Sequence, residues 1–208
     1  MQTDTHVFLI GILCALIFLG FSWVLNRRLM RGPFRIDALE IALYAATVFL
    51  VAVTCEILVN SGYEALFGRK LWEYRILPLY DGDISLLAFI IWPVYGVHLY
   101  FFRQVLAKRL PKQFNRDRIY AAVIGLDAPL FYEVCGNLLF LLLLGEYYAY
   151  YLPGELFHLT SVQVIPIYMV FIYLGMKVLD WFMRVRFYRW PWLVYLMGLV
   201  VVSSAYAW

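Results

Sequence analysis

Charge is what this chain has least of. Only 15% of its 208 residues are Asp, Glu, Lys or Arg, while 64% are hydrophobic. A water-soluble domain of this length needs a charged exterior, so a soluble fold is excluded. Histidine and cysteine are scarce too, at three each. His6, His98 and His158 are too scattered for a haem pair, a diiron centre or a zinc-protease motif. No metal and no cofactor is therefore expected. Cys14, Cys55 and Cys135 fall inside apolar runs without metal-type spacing and read as small buried hydrophobes. There is no phosphate-binding loop, no dinucleotide fingerprint, and no serine or cysteine nucleophile motif. Low-complexity stretches and a separate soluble domain are likewise absent.

What the chain does contain is a series of apolar runs, each near the length that a bilayer core demands. They predict six spans: Val7–Leu25, Ala38–Asn60, Ile84–Phe102, Ile119–Leu144, Val162–Leu179 and Trp192–Ala207. The first run has no basic stretch before it and no small-residue cleavage site after it, so it reads as a retained span rather than a signal peptide. The expected fold is an all-α, polytopic membrane bundle formed by one domain over residues 1–208. Aromatics make up 19% of the chain, enough for interfacial belts of Trp and Tyr. The loops Ser61–Asp83 and Gly145–Ser161 are rich in Tyr, acidic residues, Gly and Pro. They are expected to lie in the interface as short helices or re-entrant turns.

Loop charge sets the orientation. Arg27, Arg28, Arg31 and Arg35 follow the first span; Arg103, Lys108, Arg109, Lys112, Arg116 and Arg118 follow the third. Lys177, Arg184, Arg186 and Arg189 follow the fifth, leaving only Arg69, Lys70 and Arg75 on the opposite side. Basic loops are retained in the cytoplasm, which predicts a protein of the inner (cytoplasmic) membrane with both termini outside the cytoplasm. The same loops suit an anionic leaflet and call for no nucleic-acid partner. The partners expected are membrane lipids, a lipid-like or hydrophobic ligand, and either partner subunits or further copies of the chain.

The text also repeats itself. Glu56-Ile57-x-x-Asn60, with Gly68 following, matches Glu133-Val134-x-x-Asn137, with Gly145 following. An aromatic-acidic cluster comes next in each case, Trp72-Glu73-Tyr74 and then Glu146-Tyr147-Tyr148, followed by Leu77-Pro78 and Leu152-Pro153. Pro93, Tyr95 and Tyr100 then match Pro166, Tyr168 and Tyr173. The reading is a duplication, with repeat A over residues 38–102 and repeat B over 119–179. Each copy holds two spans, so the repeat is parallel, with its twofold axis along the membrane normal.

Intramembrane acids and amides are the residues able to carry chemistry. Glu56 and Asn60, like Glu133 and Asn137, lie one helical turn apart on one face. Each Glu is twelve residues before its glycine, about 18 Å below the helix end at 1.5 Å per residue. At that depth a carboxyl must be protonated, paired or facing a wet cavity. These four residues form the candidate central polar site, against the plainer reading of hydrogen-bond glue between helices. Secondary candidates are His98, Asp127 (just before the helix-breaking Ala128-Pro129), Trp72, Glu73, Tyr74, Glu146 and Tyr147.

Leu71-Trp72-Glu73-Tyr74, then Pro78, Gly82, Ile84-Ser85-Leu86 and Trp92, resembles a motif of the bacterial ABC-transporter permease type IV membrane family. That motif has a Trp-Asp-Tyr-Ser cluster ahead of an Ile-x-Leu and a Trp-Gly. Here Glu replaces Asp, Arg75 replaces Ser, Pro93 follows Trp92 in place of Gly, and an Asn-Arg-Gly-Phe element is missing. The resemblance covers about forty residues of spans two and three and implies a bacterial membrane protein. Three functions stay open: transport or lipid handling through the polar site, acid catalysis on a lipid or isoprenoid, and a scaffold or accessory subunit of a membrane complex.

Overall fold

A computed structural model describes residues 4–110 and 116–205. The protein is an all-α membrane helical bundle, 78% helical. Helix α1 spans Asp4–Met30, α2 Ala38–Phe67 and α3 Ala88–Arg109. Next come α4 (Arg116–Asp127) and α5 (Val134–Leu144), joined without a break by a π-helical turn over Ala128–Glu133. Helix α6 (Val164–Arg184) and α7 (Pro191–Ala205) complete the bundle. The six expected spans thus correspond to six helical rods. Lys112 and the end of the sixth expected span lie outside the described residues.

Among the described residues four rods are long and apolar enough to cross a membrane: α1, α2, α4–α5 and α6. Helix α3 has the length, at 22 residues, but carries His98, Arg103 and Gln104 in its interior. Helix α7 has 15 described residues. At Pro129 the expected kink takes the form of the π turn. Proline has no N–H to give the preceding turn, and one extra residue absorbs the gap.

Capping fixes the ends of α2. Asp37 accepts from the backbone N–H groups of Leu39 and Glu40 at 3.0 and 3.1 Å. Gly68, at φ 69°, closes the other end in the left-handed region, and Gly145, at φ 71°, does the same for α5.

Helix α2 packs chiefly on α3 and α7, α4 on α6, and α1 on α3 and α5. Two crossings depend on a missing side chain. A Cβ on Gly96 of α3 would stand 2.6 Å from the Ala45 Cα of α2, and one on Gly125 of α4 would stand 3.0 Å from the Met169 backbone nitrogen of α6. At the basic end, the Lys108 ammonium donates to the Met30 carbonyl and Arg109 to that of Leu29, clamping the α1–α2 turn onto α3.

The two loops opposite the basic end carry short helical turns of the expected kind, 3₁₀ turns over Tyr80–Gly82 and Glu155–His158, and pair as strands besides. They form β1 (Trp72–Tyr74), β2 (Pro78–Leu79), β3 (Ile84–Ser85) and β4 (Ala149–Tyr151). Strands β1 and β4 pair antiparallel, Trp72 opposite Tyr151, Glu73 opposite Tyr150 and Tyr74 opposite Ala149. The physical reason lies in α2 and α5. Asn60 donates to the Trp72 carbonyl at 2.9 Å while its oxygen accepts from Leu71 N at 3.0 Å. Asn137 donates to the Ala149 carbonyl at 2.9 Å, and its oxygen accepts from Tyr148 N and Ala149 N. Each amide satisfies main-chain groups that a bilayer could not, and so holds one strand over its helix.

The turns that follow are also alike. Tyr80 and Asp81 take φ of 51° and 53°; Leu156, Phe157 and His158 take 48°, 57° and 61°. Non-glycine residues in this left-handed region cost about 1–2 kcal/mol each, so the surrounding contacts must hold both turns.

Candidate ligand-binding crevice

Aromatic side chains stand over the two glutamates, Glu56 buried and Glu133 half-buried. On Glu56, Oε1 accepts the Tyr74 hydroxyl and the Trp92 indole N–H, the latter at 2.9 Å. Glu133 accepts the Tyr168 hydroxyl on one oxygen and that of Thr160, at 2.6 Å, on the other. Glu133 is thus paired on both oxygens. Glu56 is not: its Oε2 is buried without a partner among the described residues, and so is Nε1 of Trp72.

Glu56, Glu133 and Trp72 line one crevice, a cavity of about 110 Å³ between α2 and α6. Along α2 it runs from Tyr44 to Glu56, twelve residues or about 18 Å. Its walls are apolar, with Val51, Ala52, Phe171 and Ile172 among them. At the basic end Arg103 donates to the Tyr44 hydroxyl at 3.0 Å and to Asp180 at 3.3 Å, so its charge is already matched. The crevice is therefore a narrow apolar slot with two carboxyls and an indole at the end away from Arg103.

A smaller cavity of about 50 Å³ lies between α3 and α5. There α1 supplies Cys14, Ala15 and Phe18 as a cover, with the Phe18 ring edge-on to Tyr132 at 4.6 Å. Trp92, Tyr95 and Leu99 of α3 also line the α2–α6 crevice, but among the described residues neither α1 nor α7 does.

The four central candidates therefore separate by role. Both glutamates reach the crevice. Asn60 does not, since its amide bonds Leu71, Trp72 and Asp83. Asn137 lines only the smaller cavity, its amide bonding the ribbon and the Leu159 carbonyl. Trp72 and Tyr74 join the glutamates. Glu73, Glu146 and Tyr147 do not line the crevice: Glu146 pairs with Arg75 at 3.6 Å, and the Tyr147 hydroxyl donates to the Phe157 carbonyl. His98 and Asp127 meet each other at 3.1 Å in a separate cluster.

Sequence reasoning missed Thr160, Ser22 and Asn26. The last two sit near the basic end of the first span, and a lone Ser or Asn there gives no periodic signal. It also missed Arg103 and Asp180 as a matched pair, because the signals stand on different spans.

The profile of the family described as "Putative ABC-transporter type IV" matches residues 2–136. The chain belongs to this family. The type IV match takes in α1, α2, α3 and α4, and with them Glu56, His98, Asp127 and Glu133. It reaches well beyond the forty residues around Trp72 that carry the motif resemblance. Helix α6, which forms one wall of the crevice, lies outside it. No curated protein and no solved structure matches the chain.

Proposed function

We propose that the protein handles a lipid-like amphiphile within the cytoplasmic membrane. The apolar chain lies along the α2–α6 crevice, and a neutral polar end group sits at Glu56 and Trp72. The observation that carries this reading is that two residues lining a mostly apolar slot, Glu56 and Trp72, each hold a buried polar atom without a partner among the described residues. Unpaired buried polar groups cost about 1–3 kcal/mol each, and a ligand that pairs them recovers that cost. Trp72 Nε1 only donates, whereas Glu56 Oε2 accepts when ionised and can donate when protonated. A hydroxyl or amide satisfies both. A phosphate does not suit two neighbouring carboxyls whose crevice holds, among the described residues, only the matched cation Arg103.

The family's transporter label supports movement of such a molecule across or within the bilayer as its use. ATP-driven movement would need a nucleotide-binding partner, since these 208 residues carry no phosphate-binding loop. Orientation belongs to the same proposal. Arg27 and Arg28 end α1, Lys108 and Arg109 end α3, and Arg184 ends α6, which supports a cytoplasmic basic face with both termini opposite.

The duplication is likewise part of the proposal. Asn60 and Asn137 each bond the carbonyl twelve residues on, and a twofold exchange of β1 and β4 maps their ladder onto itself. The two left-handed turns follow at the same spacing. In this reading α1 seals one of two equivalent seams and leaves the other for the ligand.

Filling the crevice tests the function. Native mass spectrometry of the parent protein should show a co-purifying apolar species, and Ala52→Trp should remove it while leaving the protein folded in detergent. Equal recovery of that species from both proteins would contradict the proposal.

A further inference from the structure

A third residue of the α2–α6 crevice carries an unpaired polar atom. Thr47 lines the crevice and is 3% exposed, and its hydroxyl oxygen is buried without a partner among the described residues. A threonine inside a helix has a ready partner in the carbonyl four residues back. Thr54, two turns further along α2, takes that bond, donating to the Leu50 carbonyl at 2.7 Å. Thr47 forgoes the equivalent bond to Leu43.

The place of Thr47 along the slot gives the unpaired hydroxyl its meaning. Thr47 and Glu56 are nine residues apart on α2, about 13 Å along the axis. Tyr44 stands one turn before Thr47, its hydroxyl oxygen accepting from Arg103 at 3.0 Å. Tyr44 and Arg103 also line a polar cavity of about 320 Å³ at the basic end, with Arg35, Glu40, Gln104 and Asp117 among its walls. The slot is therefore polar at both ends, with Val48, Val51 and Ala52 between.

An amphiphile with one polar end would set its apolar tip against Thr47 and the mouth of the polar cavity. The Thr47 hydroxyl would then stay buried and unpaired, at the full cost of its lost hydration. A second oxygen on the ligand removes that cost. A threonine hydroxyl both donates and accepts, so a hydroxyl, carbonyl or ether oxygen serves. A charged group is not called for, because Asp180 already matches Arg103 at 3.3 Å.

We infer that Thr47 is a second recognition point of the crevice, and that the ligand is an apolar chain with neutral polar groups about 13 Å apart, the one at Thr47 an oxygen function. The ligand class so defined rests on the crevice holding an amphiphile.

Native mass spectrometry with defined probes tests it. 1-Alkanols and α,ω-alkanediols of matched length are added at equal concentration to the parent protein, Thr47→Val, Thr47→Ser and Ala52→Trp in one detergent. Valine has the shape of threonine without the hydroxyl, so Thr47→Val should unfold close to the parent's temperature. Comparing the bound diol-to-alkanol ratio between proteins cancels unequal partition of the probes into detergent. In the parent that ratio should peak for a diol whose oxygens stand about 13 Å apart. It should fall about tenfold or more in Thr47→Val and return in Thr47→Ser. Ala52→Trp should exclude both probes. Equal ratios in the parent and Thr47→Val, with both probes still excluded by Ala52→Trp, would overturn the second recognition point and leave the crevice reading standing. A ratio without a length optimum in the parent would overturn it as well, whatever Thr47→Val does. Probes held by neither the parent nor Ala52→Trp, or equally by both, would overturn the crevice reading and this inference together.

Discussion

Replacing Glu56 by Gln and by Leu separates its two jobs. Its Oε1 takes donors from Tyr74 and Trp92, while its Oε2 has no partner. Leu leaves both donors buried and unpaired. Hydrogen bonds between membrane helices are worth about 0.6–2 kcal/mol each, so two of them put the loss at about 1–4 kcal/mol. Gln keeps an oxygen for the same donors and merely sets an NH₂ where Oε2 stands, so its loss should stay below about 1 kcal/mol. Thermal unfolding in detergent reads the stability of each variant, and recovery of the co-purifying apolar species reads its binding. Leu should unfold at clearly lower temperature. Gln should unfold close to the parent protein yet hold the ligand less well, because its NH₂ and the Trp72 N–H both donate where the ligand also needs an acceptor. A Leu variant as stable as the parent would refute the assigned hydrogen bonds, and a Gln variant with full recovery would refute a ligand at Oε2.

Further outcomes follow from the same geometry. Asn60→Leu and Asn137→Leu should each free one strand of the β1–β4 ribbon, costing about 2–3 kcal/mol for the unpaired backbone groups, with faster amide exchange at Trp72 or Ala149 as the readout. Gly96→Val should disrupt the α2–α3 crossing and cost about 3 kcal/mol or more, since its Cβ would meet the Ala45 backbone at 2.6 Å; detergent stability checks this. The Glu155 carboxyl sits below the ordinary carboxylate range because the Ser161 hydroxyl and Val162 N–H bond to it. Its hold on the turn should therefore be complete above the usual carboxylate pKa and fade as pH falls through the lowered value, a dependence that Glu155→Gln should remove from Val162 amide exchange. Cysteines placed at Lys108 and Tyr80 should label from the cytoplasmic and the outer side respectively, and the reverse pattern would overturn the orientation.

The helices were legible because span length and apolar content are properties of contiguous sequence. Glu56 and Glu133 stood out for a similar reason, as acids inside apolar runs. The partners were hidden. Asn60 and Asn137 read as members of a polar site, yet the decisive fact about them is the unpaired main chain of a strand twelve residues away, which no helical periodicity reports. The β1–β4 ribbon itself, three residues a side, is shorter than any alternation pattern can show. His98 and Asp127 were each visible alone, 29 residues apart, but their meeting depends on the packing of α3 against the π turn. The open seam was least legible of all, because it follows from where α1 and α7 pack and where they do not.

The central claim, an amphiphile in the α2–α6 crevice, is tested most directly by trapping its occupant in native membranes. A photoreactive residue at Ile172, which lines the crevice, is compared with one at Leu174, which is 50% exposed on the same helix. The account predicts one discrete apolar species with a hydroxyl or amide end at position 172, lost in Glu56→Gln, and mixed bulk phospholipid at position 174. The same bulk phospholipids at both positions would contradict it.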